Sequence, residues 1–151
     1  MRGFRFRLER VLDLRAAAEE EMGRRVADAR RAAGRARSVV DRILRSELAL
    51  RERVGEALRG TRSVGSVQNL EVVREQLARQ RLVAEAELVD AEVALREAVE
   101  NHRKAHRERE ILDRLRTRRA AEWQVEERRR EQSVLDEVGR GRSGVEGSVE
   151  T

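Results

Sequence analysis

The chain contains no proline in its 151 residues, and this absence is the feature that most constrains how it can fold. Proline lacks an amide proton and clashes with the preceding helical turn, so a chain without it can hold long uninterrupted helices. Two stretches with helical periodicity flank a single segment that contains glycine and serine, residues 59–66. We therefore predict helix 1 over about residues 4–58, a turn over 59–66 and helix 2 over about 67–138.

The composition favours a coiled coil over a globular domain. Charged residues make up 42% of the chain and aromatic residues only 2%, which is too few for an ordinary globular core. Such a composition is typical of long helices and coiled coils when the apolar residues are periodic. The competing interpretation is disorder, because highly charged chains often cannot bury enough apolar surface. The periodicity of the apolar residues argues against disorder of the main body.

Helix 1 carries an apolar heptad repeat, with twelve apolar residues among sixteen positions spaced by four and three. The sixteen positions are Phe4, Leu8, Val11, Arg15, Ala18, Met22, Arg25, Ala29, Ala32, Ala36, Val39, Ile43, Ser46, Leu50, Arg53 and Ala57. In helix 2 a similar series is clear from Val67 to Leu112 and then fades. Its positions are Val67, Leu70, Arg74, Leu77, Arg81, Ala84, Leu88, Ala91, Leu95, Ala98, His102, Ala105, Arg109, Leu112, Arg116, Arg119 and Trp123. Repeats sustained for more than three or four heptads indicate a coiled coil.

The short connection favours pairing between neighbouring antiparallel helices of the same chain. We expect an all-α fold: one domain over residues 1–138, forming an antiparallel two-helix coiled-coil hairpin about 75 Å long at 1.5 Å per residue. Ser66 is the expected N-cap of helix 2. Four glycines in residues 139–151 predict a disordered tail.

Several function classes find no support in the sequence. The absence of cysteine excludes disulfides and cysteine-based metal sites. We find no glycine-rich phosphate loop and no nucleophile elbow, so we expect no enzyme, no cofactor and no small-molecule substrate. His102 and His106 share a helix face but lie among basic residues, which favours a solvated face over a metal site. No segment is apolar enough to span a membrane or to act as a secretory signal.

Two segments stand out as candidate contact surfaces. Residues 102–130 hold eleven Arg or Lys and six Asp or Glu. Nucleic acid is one possible partner of this run, but the interleaved glutamates suit a protein of mixed charge better, and a solvated face is the plain alternative. The first residues, 4–15, are the densest apolar segment, and their apolar residues face more than one direction. This surplus predicts packing against a third element, for example a partner protein.

The opening pattern Phe4-x-Phe6-x-Leu8-x-x-Val11-Leu12-x-Leu14-Arg15 resembles the start of the flagellar export protein FliJ family. The apolar-periodic segment after the polar connection and the charged C-terminal portion also resemble that family, and the similarity covers most of the chain. The resemblance implies a two-helix coiled coil that acts as a soluble component of the flagellar type III export apparatus. It implies a stalk in the ring of a hexameric export ATPase and a general export chaperone. It further implies a cytoplasmic protein peripherally associated with the inner face of the cell membrane at the export apparatus.

The resemblance also implies which surfaces make contacts. The end that carries both termini would face the ATPase ring, and the part near the turn would face the membrane-bound export gate; export chaperones would be further partners. The ATPase-facing candidates are Phe4, Phe6, Leu8, Val11, Leu12, Arg116, Arg118 and Arg119. The gate-facing candidates are Leu50, Val54, Val73 and Leu77. Two other functions stay open from the residues alone: a nucleic-acid-binding coiled coil that uses the 102–130 arginines, and a homo-oligomeric scaffold.

Overall fold

A computed structural model describes residues 3–60 and 63–143 and places almost all of them in two helices. Helix α1 spans Glu9–Arg59 and helix α2 spans Val64–Ser143. The described residues contain no strand. The helices pack against each other as an antiparallel coiled coil, which confirms the predicted fold class.

The chain divides into two compact units. The terminal unit comprises Met1–Ala17 and His106–Thr151, and the hairpin unit comprises Ala18–Ala105. In each unit, cross-helix ion pairs follow the antiparallel order, because a residue later in α1 pairs with one earlier in α2. The pairs of the hairpin unit are Arg37–Glu92 and Glu47–Arg81, and those of the terminal unit are Glu9–Arg116 and Arg15–Glu108.

The interior of both units is thin and built mainly from small side chains. Among the described residues, only seven apolar ones are buried: Leu12 in the terminal unit, and Ala33, Val40, Leu50, Ala57, Ala84 and Ala105 in the hairpin unit. Alanine lets two helices approach closely but removes little apolar area from water. The line of heptad positions along which the two helices touch is the seam. Stability therefore depends on the length of this seam more than on any large buried cluster.

At every second position, the seam of α1 is displaced by one residue from the predicted series. The structure buries Leu12, Ala33 and Val40, whereas the predicted positions were Val11, Ala32 and Val39. Because neighbouring residues such as Val11 and Leu12 are both apolar, the predicted and the observed series were both plausible. The observed series is favourable because it half-buries Val26 and Val54 and leaves the predicted Arg25 and Arg53 exposed. Charged guanidinium groups then stay in water, where they avoid the cost of desolvation.

The predicted seam of α2 agrees with the structure from Val67 to Leu112 except at Arg74, which is exposed. Ala84 and Ala105 are buried, and Leu88 and Leu95 are half-buried. After Leu112 the predicted seam positions at Arg116 and Arg119 are exposed. The apolar repeat therefore fades in the sequence where the residues at the predicted positions become charged and no longer lie between the helices.

Helix α1 begins at Glu9, five residues after the predicted start at Phe4. Residues 3–6 are non-helical, and the Glu9 amide donates a hydrogen bond to the Phe6 carbonyl at 3.2 Å. Apolar side chains at 4, 6 and 8 are half-buried, while Arg5 and Arg7 are exposed. Burial that alternates with a period of two residues is typical of extended backbone, because successive side chains point in opposite directions.

The connection between the helices is shorter than predicted. Helix α2 begins at Val64, so Ser63, not Ser66, precedes its first residue. The Ser66 amide donates a hydrogen bond to the Ser63 carbonyl, and their hydroxyls lie 3.1 Å apart. At the other side, the Gly60 amide donates to the Glu56 carbonyl at 3.0 Å, which satisfies one of the last four acceptors of α1. The Arg59 guanidinium donates to the Gly55 carbonyl one turn earlier. Residues 61 and 62 lie outside the described residues.

Helix α2 ends at Ser143, five residues beyond the predicted end at 138. The first part of the predicted disordered tail, residues 139–143, is therefore helical. The remainder, 144–151, lies outside the described residues. Over the part of the chain that the structure describes, neither helix has a stretch long and apolar enough to cross a bilayer.

Candidate functional site

The extended N-terminal segment packs on the C-terminal half of α2 in the terminal unit. The rings of Phe4 and Trp123 lie with centroids 6.3 Å apart and planes tilted by 50°. Offset and tilted arrangements of this kind are favoured by the quadrupoles of aromatic rings. The chain has one tryptophan and two phenylalanines, so two of its three aromatic side chains meet at this position.

A groove of about 470 Å³ lies between the segment and α2. One wall is residues 4–8, and the other is formed by Leu115, Arg119, Glu122, Trp123 and Glu126. Its floor is apolar and its rim is charged. Arg119 donates to Glu122 at 3.0 Å on the same helix, so this arginine already has a carboxylate partner at the rim.

The structure brings some of the ATPase-facing candidates together and separates others. Phe4, Phe6 and Leu8 are half-buried and line the groove with Arg119. Leu12 is buried in the terminal unit, so it supports the helix pair and offers no surface to a partner. Val11 lies outside the groove at the edge of the seam, and its exposed fraction is 39%.

Two of the predicted arginines occupy different environments. The Arg116 Nε atom lies 3.1 Å from a Glu9 carboxylate oxygen, so this arginine links the two helices. A second such pair joins Arg15 to Glu108 at 2.7 Å. Arg118 is exposed and forms no ion pair with any described residue. Arg118 is therefore available to a partner, whereas Arg116 serves the internal packing of this unit.

The basic run 102–130 is largely neutralised along the helix. Arginines pair with carboxylates three or four residues away, as in Arg114–Glu110 at 2.7 Å and Arg109–Asp113 at 3.6 Å. Among the arginines of this run, Arg118, Arg128 and Arg129 make no ion pair within the described residues. Most arginines of this run therefore have a carboxylate within reach, which makes this face of α2 a surface of mixed charge.

Sequence reasoning did not single out the exposed apolar residues near the end of α2. Val134, Leu135 and Val138 are exposed, and every residue from 128 to 140 is exposed as well. Their spacing of three and four residues was a usable signal, because it places Leu135 and Val138 next to each other on one helix face. Trp123 had been assigned only to the seam. The other exposed large apolar residues among the described residues of this unit are Val11, Leu14, Ile111 and Val125.

The gate-facing candidates lie in the hairpin unit and differ in exposure. Leu50 is buried, with only 7% of its surface exposed, so it belongs to the interior. Val54 and Leu77 are half-buried, and Val73 is exposed. Leu77 lines a groove of about 570 Å³ with Val39, Ile43 and Val83. Val73 is therefore the one exposed residue of the four candidates, and Leu77 contributes to an apolar groove.

The two histidines do not form part of a ligand cluster. The ring of His102 lies against Gly23, where a Cβ atom would be 3.7 Å from Nε2. His106 is exposed, with Nε2 3.8 Å from a Glu110 oxygen. Within residues 3–60 and 63–143, no group of three or more potential metal ligands occurs.

Comparison with known proteins gives one match. The model of the family described as Flagellar FliJ protein matches residues 4–144. No match was found among curated proteins or among solved structures. The matched region includes both helices, the extended N-terminal segment and the groove in the terminal unit.

Proposed function

Because the chain belongs to the flagellar FliJ protein family, whose members are components of flagellar protein export, we propose that it acts as a stalk for the export ATPase. In this proposal the terminal unit enters the ring of the hexameric ATPase and stimulates ATP hydrolysis. A stalk needs no catalytic group of its own. It needs one end whose surface can make reversible contacts with several similar subunits.

The observation that carries the proposal is the exposed surface near the end of α2. Phe4, near the start of the extended segment, packs on Trp123, and α2 continues to Ser143. At 1.5 Å per residue, this extension is about 30 Å long. Every residue from 128 to 140 is exposed, including Val134, Leu135 and Val138, and Arg128 and Arg129 make no ion pair with a described residue. This mixture suits a ring whose subunits offer both apolar and acidic surface.

The charge pattern supports weak and adaptable contacts over a single locked position. Most ion pairs of the terminal unit join side chains that are about half exposed, such as Arg119–Glu122. Exposed pairs contribute little to stability and exchange readily with other partners. Arginine is suited to such exchange because its planar guanidinium offers several donors to a carboxylate.

We further propose that the hairpin unit contacts the export gate, through Val73 and Leu77, and that export chaperones bind the same protein. These contacts would hold the chain at the inner face of the cell membrane as a peripheral protein. Val73 is exposed and Leu77 lies in an apolar groove, which supports a contact there. Leu50 is excluded from this surface by its burial.

The stalk proposal is tested by measuring ATP hydrolysis by the purified export ATPase of the same organism with and without this chain. The variant V134S/L135S/V138S removes exposed apolar area from the terminal unit without touching the seam. The matched control L44S/L48S/L58S removes three exposed leucines of the hairpin unit. We expect stimulation by the control to equal that of the wild type and stimulation by the first variant to fall at least severalfold. Equal stimulation by both variants would count against the terminal unit as the contact site.

A further inference from the structure

A second apolar stripe runs along α2 in the hairpin unit, apart from the seam with α1. It consists of Leu82, Ala86, Val89 and Val93, which follow spacings of four, three and four. All four residues are exposed, Leu82 by 65% and Val89 by 55%. The seam itself uses other residues of the same stretch, including the buried Ala84 and the half-buried Leu88.

The spacing makes these residues a continuous helical stripe. Residues three and four apart are neighbours on a helix surface, so the four side chains form one row. Single exposed apolar residues are ordinary on protein surfaces. A row with heptad spacing is different, because it has the pattern that packs against another helix as a coiled-coil seam.

Carboxylates flank the stripe on both sides. In the heptad defined by the stripe, the two flanking positions are occupied by Glu85 and Glu92 on one side and by Val83, Asp90 and Glu97 on the other, with Glu97 four residues beyond Val93. Residues 85–100 hold six carboxylates and one arginine, a net charge of −5, whereas the whole chain carries +5. Asp90 and Glu97 make no ion pair with any described residue, so their charge is not neutralised within the chain.

We propose that this stripe docks an amphipathic helix of another protein, whose apolar face is flanked by lysine or arginine. In a coiled coil, the residues that flank the apolar seam pair with those of the partner helix and set partner choice. Basic flanks would therefore find complementary charges at Asp90 and Glu97. The same stripe of a second copy is a poor partner, because it would bring carboxylates against carboxylates. The stripe shares no residue with the surfaces assigned above to the ATPase or the gate, so this inference stands apart from the proposed function.

The probe is a synthetic fluorescent three-heptad peptide with leucine at its seam positions and lysine at the flanking positions. A matched peptide carries glutamate at the flanking positions instead. Fluorescence anisotropy with the full-length chain should show binding of the lysine peptide only. This binding should weaken as salt is raised, because exposed charges are screened. Absence of binding by the lysine peptide, or equal binding of both peptides, would overturn the proposal.

Two variant pairs locate the site. L82S/V89S should weaken binding of the lysine peptide by about tenfold or more, while L48S/L58S, which removes equally exposed leucines from α1, should leave binding unchanged. D90K/E97K should abolish binding of the lysine peptide and allow binding of the glutamate peptide. E52K/E56K makes the same change in net charge on α1. It should neither abolish binding of the lysine peptide nor allow binding of the glutamate peptide. Circular dichroism confirms that each variant stays helical.

Sedimentation of the wild type and of L82S/V89S tests whether a second copy of this chain, and not another protein, occupies the stripe. We expect the same mass for both. If the wild type self-associates and L82S/V89S does not, the stripe binds a second copy and the proposal is wrong. If the lysine peptide binds all four variants as tightly as the wild type, it binds elsewhere and the proposal is likewise wrong.

Discussion

The contact between Phe4 and Trp123 fixes the extended N-terminal segment on α2, and Trp123 is the chain's single tryptophan. We predict that Phe4→Ala will shift the emission of Trp123 to longer wavelength and increase its quenching by acrylamide. The reason is that loss of the ring exposes the indole to water and removes an aromatic pair worth about 0.5–1.5 kcal/mol. Steady-state fluorescence measures this directly, without a label.

Leu14→Ala is the matched control for Phe4→Ala. Leu14 lies in the same unit but is exposed and outside the groove that Trp123 lines. Its removal should leave the emission unchanged. Identical emission from wild type and Phe4→Ala would show that the segment does not rest on Trp123 in solution.

One ion pair lies at the seam of the hairpin unit. Arg81 Nη1 is 3.1 Å from a carboxylate oxygen of Glu47, whose side chain is only 13% exposed. We predict that Arg81→Leu alone will destabilise the fold by about 1–3 kcal/mol, because it leaves a mostly buried carboxylate without its cross-helix partner. Adding Glu47→Leu should restore the stability or raise it above that of the wild type, because the seam becomes apolar. Urea unfolding followed by circular dichroism measures both effects, and equal stability of the single and double variants would contradict this account.

At the scale of the helices, the sequence predicted the number, order and antiparallel pairing of the elements. Proline-free heptad patterns are strong and local, so these features followed from periodicity alone. The register of α1 did not follow, because neighbouring apolar pairs such as Val11-Leu12 and Val39-Val40 fit two alternating series equally well. Arg25 and Arg53 in the predicted series are matched by Glu19 and Glu47 in the observed one, so a count of charged residues, three in each, does not separate them.

The candidate site was predicted less completely than the fold. The composition and order of residues 4–8 indicated an interaction surface, and Phe4, Phe6 and Leu8 do line the groove. Ion pairing between distant residues could not be predicted from the sequence. The sequence alone does not distinguish Arg116 from Arg118. In the structure, Arg116 pairs with Glu9, and Arg118 has no ion-pair partner among the described residues. Only the register between the two helices decides which arginine meets a carboxylate.

The middle of α1 is its weakest stretch, because its seam residues there are Ala29, Ala33 and Ala36 and because Gly34 interrupts them. A Cβ atom added at Gly34 would meet nothing within 4 Å. We predict that Gly34→Ala will raise the free energy of unfolding by about 1 kcal/mol, since glycine costs about that much in a helix relative to alanine. Amide hydrogen exchange should slow across residues 29–36 and change little near Leu95.

Lower stability of Gly34→Ala in urea unfolding would contradict that prediction. In the wild type, exchange at residues 29–36 should be faster than near Leu88 and Leu95, whose larger side chains pack in the seam. Slower exchange at 29–36 would show that the alanine stretch is not the weak part of the helix pair.

For the whole molecule, the distribution of charge is more informative than its sum. Residues 85–100 of α2 carry a net charge of −5, from six carboxylates and one arginine, whereas residues 101–123 carry +4, from eight Arg or Lys and four Asp or Glu. Different parts of one coiled coil therefore suit partners of opposite charge. A protein that links an ATPase to other export components requires separate contact surfaces of this kind.

We propose that the terminal unit, and not the hairpin unit, contacts the export ATPase. The chain has no cysteine, so a single introduced cysteine reports on one position only. Leu135→Cys in the terminal unit and Leu58→Cys in the hairpin unit replace side chains of nearly equal exposure, 68% and 69%. Each variant is labelled with a photo-crosslinker and mixed with the purified ATPase under ATP turnover. We expect an ATPase adduct from Leu135→Cys and none from Leu58→Cys; an adduct from Leu58→Cys alone would overturn the stalk proposal.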